Sequence, residues 1–343
     1  MGENRAVTVF GASGHTGRFV VAELRRRGFV PVVSGRSPER LRAIGAGLDV
    51  RPAAVDDPAS LDRALAGAAA VVNCAGPFAT TAAPVIEAAL RAGVPYVDVA
   101  AEIEANVDTF ARFGERARAA GTVVLPAMAF YGGLGDLLVT AALDGGTAAE
   151  EVRVAYGLSG WRPTPGTRAA GAVSRERRAG RRVRYTGGRL VYHDDAPAPA
   201  LNWSFPEPLG ERPVLPEFSM ADLVTIPSHL TVPEVSTAMT VTAATELAGA
   251  SPVERTPETF LVDVRVRAGG VERRAVARGE DIYAVTAPLA VEAVHRILTG
   301  RTGTVGVVSA GALFAAEAAD FLRALAPRVT VEWGQVSAGT AAR

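Results

Sequence analysis

Gly11-Ala12-Ser13-Gly14-His15-Thr16-Gly17 sets three glycines in a GxxGxxG pattern directly after the apolar run Ala6–Phe10. A strand feeding a glycine-rich turn and then a helix builds a pyrophosphate site. Small residues let the backbone approach the phosphates, and the N–H groups at the helix start face the anion. Glycine spacing alone is a weak signal, but here Phe19, Val20, Val21 and Leu24 continue at helical spacing until Gly28. A second strand over residues 30–34 ends in Gly35-Arg36-Ser37. A site for NAD usually carries an acid about 20 residues after the glycines, on the ribose 2′-OH. Arg36 stands at that place, where a cation pairs with the 2′-phosphate of NADP; the plainer reading is a solvated arginine after a strand. The expected cofactor is NADP(H), held by Gly11, Ser13, Gly14, His15, Thr16, Gly17, Arg36 and Ser37.

The 343 residues suffice for two domains, and 36 basic against 36 acidic residues leave no global field to recruit nucleic acid or an anionic membrane. Every basic residue among the 36 is arginine, so lysine Schiff-base or general-base chemistry is excluded. Cys74 is the single cysteine, and His15, His193, His229 and His295 are scattered, so neither disulfide nor metal-ligand spacing is present and no metal is expected. The first strand follows the start so closely that no signal peptide is expected. Ala6 stands where a myristoylation motif needs Ser or Thr. The uncharged stretch 64–86 is broken by Asn73, Gly76, Pro77 and Pro84, unlike a membrane span. A cytoplasmic protein is expected.

Strand and helix signals alternate through the first 145 residues. Ser37-Pro38 opens a helix to about Gly45, a third strand runs over 50–55, and Asp57-Pro58 starts a helix over 59–65. Strands over 69–73, 96–99 and 123–126 and a helix over 84–92 follow. From Glu151 strands dominate, at 152–158, 183–186, 189–192, 238–242 and 260–268, with Thr186-Gly187-Gly188-Arg189 as a hairpin turn. Helical spacing returns at 289–298 and 310–325. The expected fold is α/β, a doubly wound Rossmann-type parallel sheet with an inserted strand-rich α+β domain. Residues 1–145 completed by 284–343 form the dinucleotide-binding domain, and 146–283 a substrate-binding and dimerisation domain.

Ligands of doubly wound sheets bind beyond the carboxyl ends of the strands. Asn73-Cys74-Ala75-Gly76-Pro77-Phe78 follows the fourth strand, which adds Cys74, Ala75, Gly76, Pro77 and Phe78 to the cofactor site; a plain connector is the alternative. Asp56 could hold the adenine or cap the next helix. Taken together, residues 11–17, Gly35-Arg36-Ser37, 71–78, Tyr96-Val97-Asp98-Val99-Ala100-Ala101-Glu102, Gly135-Asp136-Leu137 and 279–288 resemble the saccharopine-dehydrogenase-like reductases. That group includes saccharopine reductase, carboxynorspermidine synthase and the trans-acting enoyl reductases. The likeness is thin between Trp161 and Ser219. Ala101 replaces a frequent glycine, His15 replaces Tyr or Phe, and residues 129–133 differ from the family loop. The resemblance implies NADP(H), a two-domain cleft and a homodimer, and leaves the substrate open.

Without lysine, the Tyr-x-x-x-Lys pair of short-chain dehydrogenases is excluded. A hydride-transfer enzyme can still work by positioning, because the cofactor carries the hard chemistry. The candidates for the proton are Tyr131, Tyr156, His229 and Tyr283, each with a plain alternative as a packed aromatic. Seven arginines between Arg175 and Arg189 read either as a solvated hairpin or as a surface for a carboxylate, coenzyme A or a carrier-bound substrate. Arg162 and Arg168 are the candidates for an anionic substrate. Two functions remain open: reduction of a C=N, C=C or C=O bond of a small metabolite, specialised metabolism included, or non-catalytic NADP(H) binding as a redox sensor or scaffold.

Overall fold

In a computed structural model, which describes residues 5–249 and 258–336, β1 (Ala6–Phe10) runs buried into the glycine turn and α1 (His15–Arg26) leaves it. Residues 1–4, 250–257 and 337–343, which the expected domain spans include, lie outside the described residues. After β2 (Val30–Gly35), Ser37 caps α2 (Pro38–Arg42) by accepting the Arg40 N–H at 3.3 Å, with Pro38 in the first turn. The helix stops at Arg42, short of Gly45. β3 (Asp49–Pro52) also ends early, and it is Asp57, accepting from Ser60 N at 3.1 Å, that caps α3 (Pro58–Leu65). Asp56 is therefore not the cap; it lies exposed in the preceding turn.

β4 (Ala70–Asn73) leads to α4 (Phe78–Ala92), which starts six residues ahead of the expected Pro84 and keeps that proline inside. An internal proline costs about 3 kcal/mol. Phe78, Ala82, Val85, Ile86 and Ala89 offset it by burying one continuous face. The chain continues through β5 (Tyr96–Asp98), α5 (Ile103–Ala119), β6 (Val123–Leu125), α6 (Gly135–Leu143), β7 (Glu151–Leu158), α7 (Pro165–Arg177), β8 (Arg182–Thr186) and β9 (Arg189–His193). Then come β10 (Leu201–Ser204), β11 (Glu211–Pro216), α8 (Asp222–Thr225), β12 (Val235–Thr240), α9 (Val241–Ala248), β13 (Thr259–Ala268) and β14 (Val271–Glu280). Last are α10 (Ile282–Leu298), β15 (Gly306–Val307), α11 (Ala310–Leu313), α12 (Ala318–Arg323) and β16 (Val329–Val336).

These elements form two compact units. The first holds Met1–Phe130, Thr164–Arg177 and Tyr283–Ser309. Its seven-stranded sheet has the order β15-β6-β5-β4-β1-β2-β3, parallel throughout, around a core that includes Phe10, Val71, Ile86, Tyr96 and Phe113. From β3 to β6 this is the order of a Rossmann-type fold, with the topological switch point between β1 and β4.

The second unit holds Tyr131–Pro163, Arg178–Ile282 and Ala310–Arg343. Its mixed sheet runs β10-β11-β12-β7-β13-β14-β16, with the β8–β9 hairpin attached at β12. Gly187 and Gly188, at φ +58° and +75°, make the tight turn of that hairpin and pair Thr186 with Arg189. The units divide differently from the expected 1–145 and 284–343. α6 packs on β13 and β14, and β16 pairs antiparallel with β14 from Val329↔Gly279 to Val336↔Glu272, so both belong to the second unit. The segment expected as a helix over 310–325 is two short helices, α11 and α12, with a 3-10 turn between them. Conversely α7, expected within the inserted domain, packs on α4 and α5 of the first unit.

Candidate functional site

The glycine turn is shaped by two close approaches. Gly11 has φ +83°, and a Cβ there would meet the Ala75 backbone nitrogen at 2.8 Å, so the turn after β1 touches the loop after β4. A Cβ on Gly17 would come within 2.3 Å of the Gly11 carbonyl oxygen. Gly11 N and Ala12 N both donate to Ser34 O, at 2.9 and 3.1 Å, which ties the turn to the end of β2. Gly14 is extended, with φ −71° and ψ 170°, and the first turn of α1 contains no acid, so nothing there competes for the positive end of its dipole.

His15 is exposed at the helix start, edge-on to Phe19 and to Tyr283 with ring centroids 5.2 and 5.1 Å away. Ser13 and Thr16 are half-buried in the same turn. Arg36 is exposed beyond β2, with no ion pair among the described residues, while the Ser37 hydroxyl is engaged in capping α2. Residues 11–17, Arg36 and the loop of Cys74, Ala75, Gly76, Pro77 and Phe78 thus gather at the carboxyl ends of β1, β2 and β4. The donors and the small residues fit a dinucleotide laid across that crevice.

A buried polar web fixes the 74–78 loop. Asn73 Oδ1 accepts from Ala75 N at 3.0 Å, and Asn73 Nδ2 donates to Tyr96 OH at 3.1 Å. That hydroxyl donates to Asp98 Oδ2 at 2.8 Å, and Asp98 Oδ1 accepts from Ala100 N and Ala127 N. Glu102 Oε1 accepts from Phe78 N at 2.9 Å, serving the start of α4 across 24 residues of sequence. The Tyr96–Glu102 stretch that carries the family resemblance is therefore a support for the loop. Burial pushes the Asp98 carboxyl up to about 6 and that of Glu102 up to about 7, although each accepts hydrogen bonds that pull the other way.

A raised carboxyl makes the folded protein hold a proton that the unfolded chain releases. The contribution of Glu102 to stability is therefore full below about pH 4.5 and is lost as pH rises through 7. Glu102→Gln keeps the acceptor and removes the titration. Relative to the parent, the variant should gain on the order of 3 kcal/mol between pH 4.5 and 7.5 in denaturant unfolding. A constant difference between the two proteins over that range refutes the assignment.

In the second unit two buried acids each hold one of the four candidate proton donors, Asp136 holding His229 and Asp222 holding Tyr156. Asp136, at the start of α6, accepts from Gly311 N at 2.6 Å and lies 2.7 Å from His229 Nε2. A Cβ on Gly311 would collide with Thr140, Asp136 and His229, so a glycine is required for that approach. Burial lowers the His229 pKa, but the Asp136 carboxylate outweighs it and leaves the imidazole raised. Asp222 accepts from Tyr156 OH at 2.8 Å and from Gly132 N at 3.2 Å. Burial, with the charge of Asp136 added, pushes Asp222 up to about 6, and burial beside the Asp222 carboxylate raises the Tyr156 phenol well above its usual range. Tyr131 is buried edge-on against Tyr156 and packs on Trp161, at 4.8 and 5.2 Å between ring centroids. Tyr283 belongs to the first unit, its hydroxyl 2.9 Å from Thr167 Oγ1. Asp222 escaped the sequence reading; its signal was a lone acid in the apolar run Met220-Ala221-Asp222-Leu223-Val224.

The expected anion contacts separate. Arg162 is half-buried in the second unit, its N–H donating to Glu258 Oε1 at 2.9 Å, whereas Arg168 is exposed on α7 of the first. The arginine-rich run is partly neutralised by acids of the chain itself. Arg177 pairs with Asp108 at 2.8 Å, Arg182 with Glu217 at 2.9 Å and Arg184 with Asp195 at 3.0 Å. Among the described residues no cluster of three or more His, Cys, Asp or Glu could hold a metal ion, and no helix is long and apolar enough to cross a membrane.

Comparison with known proteins places these features. Residues 7–125 match the family described as the saccharopine dehydrogenase NADP binding domain. A saccharopine dehydrogenase-like oxidoreductase of Homo sapiens is 31% identical over 145 residues, and its Mus musculus counterpart 28%, each alignment covering 36% of this chain. The chain matches about a third of the length of these relatives, 34% in both cases. Saccharopine dehydrogenase (L-Glu forming) of Saccharomyces cerevisiae, in its apo form, shares the fold with a TM-score of 0.69 at 12% identity, covering 97% of this chain and 100% of that one. Residues 7–125, with their glycine turn and switch-point crevice, therefore form a domain of the saccharopine dehydrogenase NADP-binding type.

Proposed function

We propose that the protein is an NADP(H)-dependent oxidoreductase that reduces a C=N, C=C or C=O bond of a small metabolite, working as a cytoplasmic homodimer. The observation that carries this reading is the crevice at the switch point of the first sheet, where Gly11, Gly14 and the 74–78 loop meet beside an exposed Arg36. Bound there, the nicotinamide supplies or accepts the hydride. The chain binds the pyrophosphate at the turn before α1, pairs the 2′-phosphate with Arg36 and supports the 74–78 loop from Asp98 and Glu102. Tyr131, Tyr156, His229 and Tyr283 remain the candidates for the accompanying proton. Of these, His229 beside Asp136 is a ready acid–base pair, since the carboxylate fixes the imidazole tautomer and stabilises its charged form. Arg162 and Arg168 remain candidates for an anionic substrate.

Fluorescence titration with both reduced cofactors tests the reading. NADPH should bind at least about tenfold tighter than NADH, the yield of one charge-assisted contact. Equal affinity removes the NADP assignment, and binding of neither removes the oxidoreductase. Tight binding with no substrate-dependent NADPH oxidation across imine, enoyl and carbonyl panels would favour the sensor reading.

A further inference from the structure

Helix α7 lies between β7 and β8 of the second unit in sequence, yet it folds as part of the first. It is fastened there at three points along its length. At its start the Thr164 hydroxyl caps the helix by accepting from Thr167 N at 3.0 Å. The Tyr283 hydroxyl lies 2.9 Å from Thr167 Oγ1 and accepts from Thr164 N at 3.3 Å. The Tyr283 ring in turn packs edge-on against His15, the first residue of α1 after the glycine turn. Midway, Ala170 faces the 74–78 loop, its Cβ 3.9 Å from where a Cβ on Gly76 would stand. Towards the end Ser174 hydrogen-bonds Glu104, and Arg177 pairs with Asp108, both acids on α5.

What this helix lacks is apolar anchorage. Ser174 is its one buried residue, and the half-buried stripe beside it consists of Thr167, Ala170 and Val173. Gly166 and Gly171 lie within its 13 residues, and an internal glycine costs about 1 kcal/mol relative to alanine. A helix of this length is marginal alone in water, and little burial holds this one down. Elements with few buried apolar contacts open at far lower free energy than the core. Its attachments nevertheless touch both halves of the crevice, the start of α1 through Tyr283 and His15, and the 74–78 loop through Ala170.

We propose that α7 is a latch on the dinucleotide site, with Tyr283 as its catch, and that it is ordered by bound NADP(H). The inference rests on the cofactor reading above. A ligand that fills the crevice and steadies both His15 and Gly76 stabilises the surface on which α7 docks. Docking and cofactor affinity are then coupled and must change together. Tyr283 is accordingly a positioning residue of the cofactor site: its ring packs on the α1 start and its hydroxyl holds the helix that covers the loop.

Hydrogen exchange read by mass spectrometry on the full chain, with and without saturating NADPH, tests this, with binding followed separately by fluorescence. Exchange of the amides within 166–177 should slow at least about tenfold on NADPH binding, while β13 and β14 change little. In Tyr283→Phe the ring stays on His15 and the catch is lost. Exchange in 166–177 of the free protein should then rise at least about threefold, with α1 unaltered. Thr167→Val, which removes the other half of the catch, should behave alike. Normal NADPH binding with unchanged exchange in 166–177 overturns the latch and leaves the cofactor reading standing. Failure of NADPH to bind the parent overturns both, and exchange in both variants equal to the parent refutes Tyr283 as the catch.

Discussion

Gly14→Val is expected to abolish dinucleotide binding in a protein that still folds, whereas Gly17→Ala, a smaller change three residues on, is expected to damage the fold itself. The difference lies in what each new side chain meets. Gly14 has an extended backbone that any residue adopts, and a Cβ there has one tight neighbour, the Gly11 carbonyl oxygen at 3.1 Å. The added methyls of valine would instead occupy the space in front of α1 that the pyrophosphate needs, costing about 100-fold or more in affinity. At Gly17 a single methyl carbon would stand 2.3 Å from Gly11 O and 2.9 Å from Ala12 Cα, both fixed backbone. α1 must then move off β1, at a cost on the order of 2–4 kcal/mol. Circular dichroism melts beside cofactor titration separate the two effects. A Gly14→Val protein that melts normally and binds NADPH normally would mean that the turn is not the phosphate site. A Gly17→Ala protein as stable as the parent would mean that the helix has slack which the geometry denies.

Arg36→Glu should reverse cofactor preference. The arginine is exposed at the end of β2, and no acid of the described chain neutralises it, so its charge is available to a ligand. Replacing it removes a charge-assisted contact with the 2′-phosphate and adds repulsion, together about 2–4 kcal/mol, or roughly 30- to 1000-fold weaker NADPH binding. NADH binding should hold or improve, since a carboxylate at this position can accept from the ribose 2′-OH. The contact is partly open to solvent, so the parent's preference for NADPH should shrink with added salt. Unchanged NADPH affinity in the variant would return Arg36 to a solvated arginine after a strand.

The first unit was largely legible because its signals are local. A glycine turn after an apolar run and a serine or aspartate followed by proline before a helix each act over a few residues of backbone. Apart from α7, which the sequence placed in the other unit, the errors there are shifts of element boundaries. Pro84 reads as a helix start, yet the helix begins at Phe78, because Glu102 satisfies the Phe78 N–H from the far side of β5. The Tyr96–Glu102 resemblance marked the right residues without revealing that they support the 74–78 loop, since that role depends on contacts between separate strands.

By itself the sequence determined that there is a doubly wound sheet, where its glycine turn lies, that Arg36 follows the second strand, and that lysine chemistry is excluded. Only the tertiary structure decided that α7 belongs with the first sheet and β16 with the second, and that Asp222 meets Tyr156 and Asp136 meets His229. The physical reason is range. Backbone propensity, capping and turn chemistry are written in neighbouring residues. Which strand edge accepts β16, which helix covers a loop, and which acid is buried beside which base are settled by partners some 50 to 170 residues away, through packing and hydrogen-bond satisfaction that no local pattern encodes.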